Sequence, residues 1–146
     1  MRILVDISHP AHVHFFRNAI GVWQSHGHAV HIVSRRNDIA LELRAAAGLP
    51  NECLSSAGKG AVRLMGELFL HEGRLLRETL KARPDIMLQI SGLFISHVGF
   101  ARSIPTLAFT DTEMATLSNA LTFPFTSAVL TPSCYRGSAP RSKHYV

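Results

Sequence analysis

Short apolar runs and amphipathic stretches alternate along this chain. Ile3, Leu4, Val5 and Ile7 form the first run, the pattern of a strand buried on both faces. Ser8-His9-Pro10 breaks it, and from Ala11 the apolar positions Val13, Phe16, Ile20 and Trp23 recur three and four apart, which predicts a helix with one buried stripe. Gly27 is placed to cap that helix, and Ala29 to Val33 reads as a second strand ending at Ser34-Arg35-Arg36. A helix from Asn37 or Asp38 to Ala47, a weak strand over Glu52 to Ser55 and a glycine-flanked loop around Lys59 follow. The next helix, about Ala61 to Ala82, is expected to bury Met65, Phe69, Leu76 and Leu80 and to keep Glu67, Arg74, Arg77, Glu78 and Lys81 wet. Strands over Ile86 to Ile90, Thr106 to Phe109 and Ala128 to Leu130 complete the set, with helices at Phe94 to Arg102 and from Thr110-x-x-Glu113, a capping box, to about Leu121.

Strands and helices in strict alternation predict an α/β fold: a Rossmann-like, doubly wound parallel sheet of about six strands in the order 3-2-1-4-5-6. Such sheets hold ligands at the carboxyl ends of their strands. Residues 1–132 are read as the domain and 133–146, which lacks periodicity, as a linker or disordered tail.

At 146 residues, 47% hydrophobic and 17% charged, the chain has the composition of one globular domain rather than a disordered segment. The net charge of +5 comes from scattered Arg and Lys without interleaved aromatics, which argues against a nucleic-acid groove. Cys53 and Cys134 stand in no metal-ligand spacing, the first strand carries Asp6 and so is no signal peptide, and no run reaches the ~18 apolar residues of a membrane span. The expectation is a cytoplasmic protein.

The first turn contains no glycine, so the dinucleotide fingerprint is missing. Lys59 is not followed by the Ser or Thr of a P-loop, and there is no Gly-x-Ser-x-Gly elbow. No cofactor is expected. The turn instead offers His9, His12 and His14. His12 falls in the first helical turn, where unpaired N–H groups and the helix dipole disfavour an imidazolium, so a neutral ring suited to general base chemistry is expected there. The same ring serves equally as a partner for backbone groups at the helix start. A third alternative is a metal-dependent hydrolase using His12 and His14 with Asp111, although two residues two apart on a helix diverge by about 200°.

The run Asp6-Ile7-Ser8-His9-Pro10-Ala11-His12-Val13-His14-Phe15-Phe16 resembles the start of an uncharacterised prokaryotic family of glycosyltransferase-like proteins of the two-domain GT-B type. Gly27-His28, Arg35, Gly58-Lys59, Pro84-Asp85, Gly92, Ile104-Pro105, Asp111-Thr112-Glu113 and Thr131-Pro132 carry the resemblance along the chain in order. The family, a domain of unknown function, is distantly similar to UDP-N-acetylglucosamine 2-epimerase and to the N-acetylglucosaminyltransferase that completes the lipid-linked peptidoglycan precursor.

The resemblance implies the amino-terminal, acceptor-side half of a GT-B fold, with a nucleotide-sugar donor held by a carboxyl-terminal domain that is missing here or supplied by a separate subunit. It implies His12 as base or acceptor-orienting residue and Glu113 as a second catalytic group, against the capping-box reading of the same glutamate. His9, His14, Arg35, Gly58, Lys59, Ser91, Gly92, Asp111 and Thr112 would touch substrate. It leaves the acceptor unnamed, calls for no metal, and allows homo- or hetero-oligomers and a peripheral contact of the long basic helix with anionic membrane. A non-catalytic module that pairs with a donor-binding subunit is the other reading it admits.

Overall fold

The computed structural model describes residues 1–36, 52–56 and 61–146, with backbone alone at 35–36, 52–56, 61–65 and 67–68. The helix expected between Asn37 and Ala47, and the loop holding Gly58 and Lys59, lie outside the described residues. In chain order the elements are β1 (Arg2–Ile7), α1 (Pro10–Ser25), β2 (Ala29–Arg36), β3 (Glu52–Ser56), α2 (Ala61–Ala82) and β4 (Ile86–Ile90). Then come α3 (Leu93–Arg102), β5 (Thr106–Phe109), α4 (Thr116–Thr122), β6 (Ala128–Leu130), a 3-10 turn (Arg141–Lys143) and β7 (His144–Tyr145).

All strand pairs are parallel, and the sheet runs β3-β2-β1-β4-β5-β6-β7. The expected order is present with one strand added at its edge. That strand belongs to the stretch read as a tail. His144 and Tyr145 pair with Val129 and Leu130, and the Thr131 hydroxyl meets His144 Nε2 at 2.8 Å. Two residues are too few to leave a periodic signal, so the strand was invisible in the pattern.

The alternation of β1 sorts the core into two layers. Ile3, Val5 and Ile7 face α1 and pack with Val13, Phe16 and Ile20, while Leu4 faces the other way, toward Leu75 of α2, Met87, and Ile95 and Val98 of α3. Each of these large side chains is almost wholly buried and stabilises the fold by roughly 1.5–3 kcal/mol. Asp6 and Gln89 follow Leu4 and Met87 by two positions in paired strands, so they too lie on the α2–α3 side.

That placement inverts the expected face of α2. His71, Leu75, Glu78 and Thr79 are buried, whereas Phe69, Leu76 and Leu80 are exposed. The polar residues go inside because partners wait for them. His71 Nε2 donates to Asp6 Oδ2 at 3.0 Å, and Glu78 lies 3.5 Å from His31 and 2.6 Å from Lys81. On the outer side of α3, His97 joins the layer together, 2.6 Å from Glu72 of α2 and 2.9 Å from the Leu121 carbonyl of α4. No helix among the described residues is long and apolar enough to cross a membrane.

The helix after β5 also starts later than the capping box predicts. Its N-cap is Ala115, and Thr110 and Glu113 precede it without capping anything. The Glu113 carboxylate instead accepts the Arg136 backbone N–H at 2.9 Å, tying the loop after β5 to the segment after β6. That hydrogen bond holds the Glu113 carboxyl below its ordinary range.

Candidate active site

The β1–α1 turn builds its own helix start from histidine. His9 is the N-cap in extended conformation, its Nδ1 accepting the Ala11 N–H at 3.2 Å, and Pro10 takes the first helical position, where a missing N–H costs nothing. His12, one turn into α1, is half-buried. Its Nδ1 accepts the Ser8 backbone N–H at 3.3 Å, and its ring centroid lies 5.9 Å from that of His9. A neutral imidazole that accepts at Nδ1 carries its proton on Nε2, so the second nitrogen of His12 is a donor.

The ring is held neutral, with its pKa lowered to about 4, and the cause differs from the helix-dipole argument. Burial contributes most and His9 adds to it, while the charges of Asp6 and Asp111 pull the other way. Because the folded value lies below that of a free histidine, the native state binds fewer protons than the unfolded chain between about pH 6.5 and 4. The stability contribution is present above pH 6.5 and is lost as pH falls through that window. Allowing for the open part of the ring, it amounts to about 2 kcal/mol. Urea unfolding of the native chain and of His12→Gln at pH 7 and pH 4 checks this: the variant should lose less stability on acidification, and identical losses would refute the assignment.

Beneath this turn lies a buried polar network. Asp6 Oδ2 accepts from His71 Nε2 and from Gln89 Nε2, each at 3.0 Å, and Asp6 Oδ1 accepts from Ser8 Oγ at 3.3 Å. Gln89 Nε2 also donates to Ser8 Oγ at 3.0 Å, and the Phe94 ring lies 4.1 Å from that of His71. The network fixes Ser8, and through its N–H the His12 ring. Its one legible sign was a carboxylate inside an apolar strand, which has to find donors.

Beside the turn, at the carboxyl ends of β4 to β7, opens a cavity of about 390 Å³. Its walls include Phe15, Phe109, Leu130, Pro132 and Tyr145, with Asp111 among them. Phe15 follows His12 by three residues on α1 and packs edge-on against Phe16 and Phe109, at 4.9 and 5.2 Å between centroids. Asp111 links the two features: it lines the cavity and its charge acts on His12. Thr112 Oγ1 donates to Asp111 Oδ1 at 3.1 Å.

The remaining expected residues separate. His14 is exposed, and no cluster of three or more His, Cys, Asp or Glu able to hold a metal occurs among the described residues, so His12, His14 and Asp111 do not form a metal centre. Arg35 sits at the carboxyl end of β2 opposite Ser55 of β3. Ser91 and Gly92 form the β4–α3 turn, both at φ 71°, with the Ser91 N–H on the Phe109 carbonyl at 2.7 Å. Neither lines the cavity. Phe15, Thr131 and Tyr145, which do, were not among the expected site residues: Phe15 and Thr131 carried only the family resemblance, and Tyr145 lies in the stretch read as a tail.

Solved structures share this architecture. UDP-GlcNAc 2-epimerase from Neisseria meningitidis, bound to UDP-GlcNAc, superposes with a TM-score of 0.77 at 14% identity, over 100% of this chain and 46% of that one. MurG from Acinetobacter baumannii gives 0.72 at 13% identity, over 94% and 43%. The spinosyn rhamnosyltransferase SpnG complexed with spinosyn aglycone gives 0.70 at 16%, over 96% and 49%. The chain thus spans less than half the length of each. A search of the curated proteins finds no match. Strand order and these superpositions define a Rossmann-like domain of the kind that forms the amino-terminal half of GT-B proteins. Residues 1–137 match the family described as "Protein of unknown function (DUF354)", and the chain belongs to that family.

Proposed function

We propose that the chain is the acceptor-side domain of a GT-B-like glycosyltransferase, whose nucleotide-sugar donor is held by a second domain in the same or another polypeptide. The observation that carries this is the juxtaposition of a neutral His12 ring and the Asp111 carboxylate beside a cavity at the carboxyl ends of the strands. Two groups of opposite hydrogen-bonding sense suit an alcohol. His12 Nε2–H donates to the acceptor oxygen and orients it, and Asp111 accepts its proton. As that O–H bond breaks, the oxygen bonds to the anomeric carbon of the sugar, and the bond from that carbon to the nucleotide diphosphate breaks, with the diphosphate leaving. The Ser8 N–H on Nδ1 and the low basicity of the ring support orientation by His12 rather than proton abstraction. Glu113, committed to the Arg136 N–H, serves the loop that presents Asp111.

Titration with UDP-sugars, followed through the His12 and Asp111 resonances, tests the division of labour. The chain alone should not respond below about 1 mM. Transfer to an alcohol should appear when a donor-binding domain is supplied, and Asp111→Asn should slow it by about 100-fold. Micromolar binding of a UDP-sugar to this chain alone, or undiminished transfer by Asp111→Asn, overturns the reading.

A further inference from the structure

The cavity also says what kind of molecule the acceptor is. Its wall is built mostly from Phe15, Ile90, Phe109, Leu130, Pro132, Tyr145 and Val146, and several of the polar groups that Thr110 and Thr131 bring to it are already engaged. The Thr131 hydroxyl is paired with His144 Nε2 at 2.8 Å, and the Thr131 and Thr110 backbone N–H groups bond to the Tyr145 and Leu130 carbonyls. Asp111 is the one charged side chain among the described residues that line the cavity. A sugar or peptide in such a space would surrender several hydrogen bonds to water and regain few, at about 1–3 kcal/mol for each group left unpaired. An apolar body forfeits nothing. Phe15 points the same way, because a phenylalanine on the first turns of a helix, 52% exposed and stacked edge-on to Phe109, presents ring surface that a ligand would cover.

We propose that this cavity binds the apolar portion, alkyl or aromatic, of a hydroxyl-bearing acceptor, with its hydroxyl at Asp111. The proposal rests on the acceptor-side reading and adds the substrate class to it. A volume of about 390 Å³ lies at the small end of ligand sites and takes two or three fused rings or a chain of roughly ten carbons. The rest of a larger acceptor lies outside.

The test is titration of the chain with 2-naphthol, 1-decanol and N-acetylglucosamine, followed by naphthol fluorescence and by NMR. Naphthol and decanol should bind with Kd in the range of about 10–100 μM and shift the Phe15, Phe109 and Leu130 resonances, with no response to the sugar at about 10 mM. Phe15→Glu, on an exposed helix position that tolerates charge, should weaken both alcohols at least tenfold, and Phe15→Leu less than about threefold. Asp111→Asn should weaken naphthol about fivefold without affecting naphthalene. Sugar binding as tight as naphthol overturns the apolar class while leaving the acceptor reading intact. Naphthol binding indifferent to Phe15→Glu overturns the cavity as its site. Naphthol binding indifferent to Asp111→Asn removes the hydroxyl contact and with it the acceptor reading.

Discussion

Asp6→Ala is expected to cost the domain about 3–5 kcal/mol, because it removes the shared acceptor of a buried hydrogen-bond network and leaves its donors unpaired. The wild-type carboxylate is fully buried and accepts three hydrogen bonds, from His71, Gln89 and Ser8. Alanine leaves three donors facing a small void, and His71, itself fully buried, has no route to water. For a chain of this size the loss should lower Tm by roughly 10–20 °C, with the urea midpoint moving and its slope unchanged. His71→Ala in the Asp6→Ala background should cost much less than His71→Ala alone, since the pair acts as a unit. A single-variant loss under about 1 kcal/mol would mean that the network is a passenger in the core.

Gly92→Ala is the second large effect, expected at about 2–5 kcal/mol. Gly92 sits at φ 71°, ψ 1°, where an L side chain costs roughly 1–2 kcal/mol. A Cβ there would press on the Ala108 side chain and stand 3.2 Å from the Ala108 Cα and 3.0 Å from Thr122 Cγ2. Both neighbours belong to packed elements, β5 and α4, so overpacking adds another 1–3 kcal/mol or so. The glycine lets the start of α3 approach the sheet, and thermal unfolding separates that role from substrate contact. A large fall in Tm assigns Gly92 to packing. An unchanged Tm with weakened ligand binding assigns it to substrate.

Much of this architecture was legible. The strands at 86–90, 106–109 and 128–130 are the expected ones, because buried parallel strands are short apolar runs bounded by Pro, Gly and Ser. The sheet order followed from alternation with helices. What periodicity could not see were polar side chains buried by mutual pairing. It assigned Phe69, Leu76 and Leu80 to the core of α2, where the helix turns His71, Glu78 and Thr79 inward to meet the sheet. At the site, His12 stood out by its place in the first turn of α1 and by the family resemblance, and its neutrality was anticipated through the dipole when burial is the larger cause. The cavity's position at the carboxyl ends of the strands and Asp111 within it were legible, but its apolar lining was not. Its wall draws on α1, β4, β5, β6 and the final strand, residues as far apart as Phe15 and Tyr145, and only folding brings them together.

The last of those walls has a thermodynamic corollary. β7 is two residues long, held by its ladder to β6 and by the clasp between Thr131 and His144. Its Tyr145 is also a face of the pocket. Order in that strand and occupancy of the pocket are therefore linked, and the linkage is reciprocal: a guest that leans on Tyr145 pins the strand, and whatever fastens the strand pre-forms the guest's seat by the same increment of free energy.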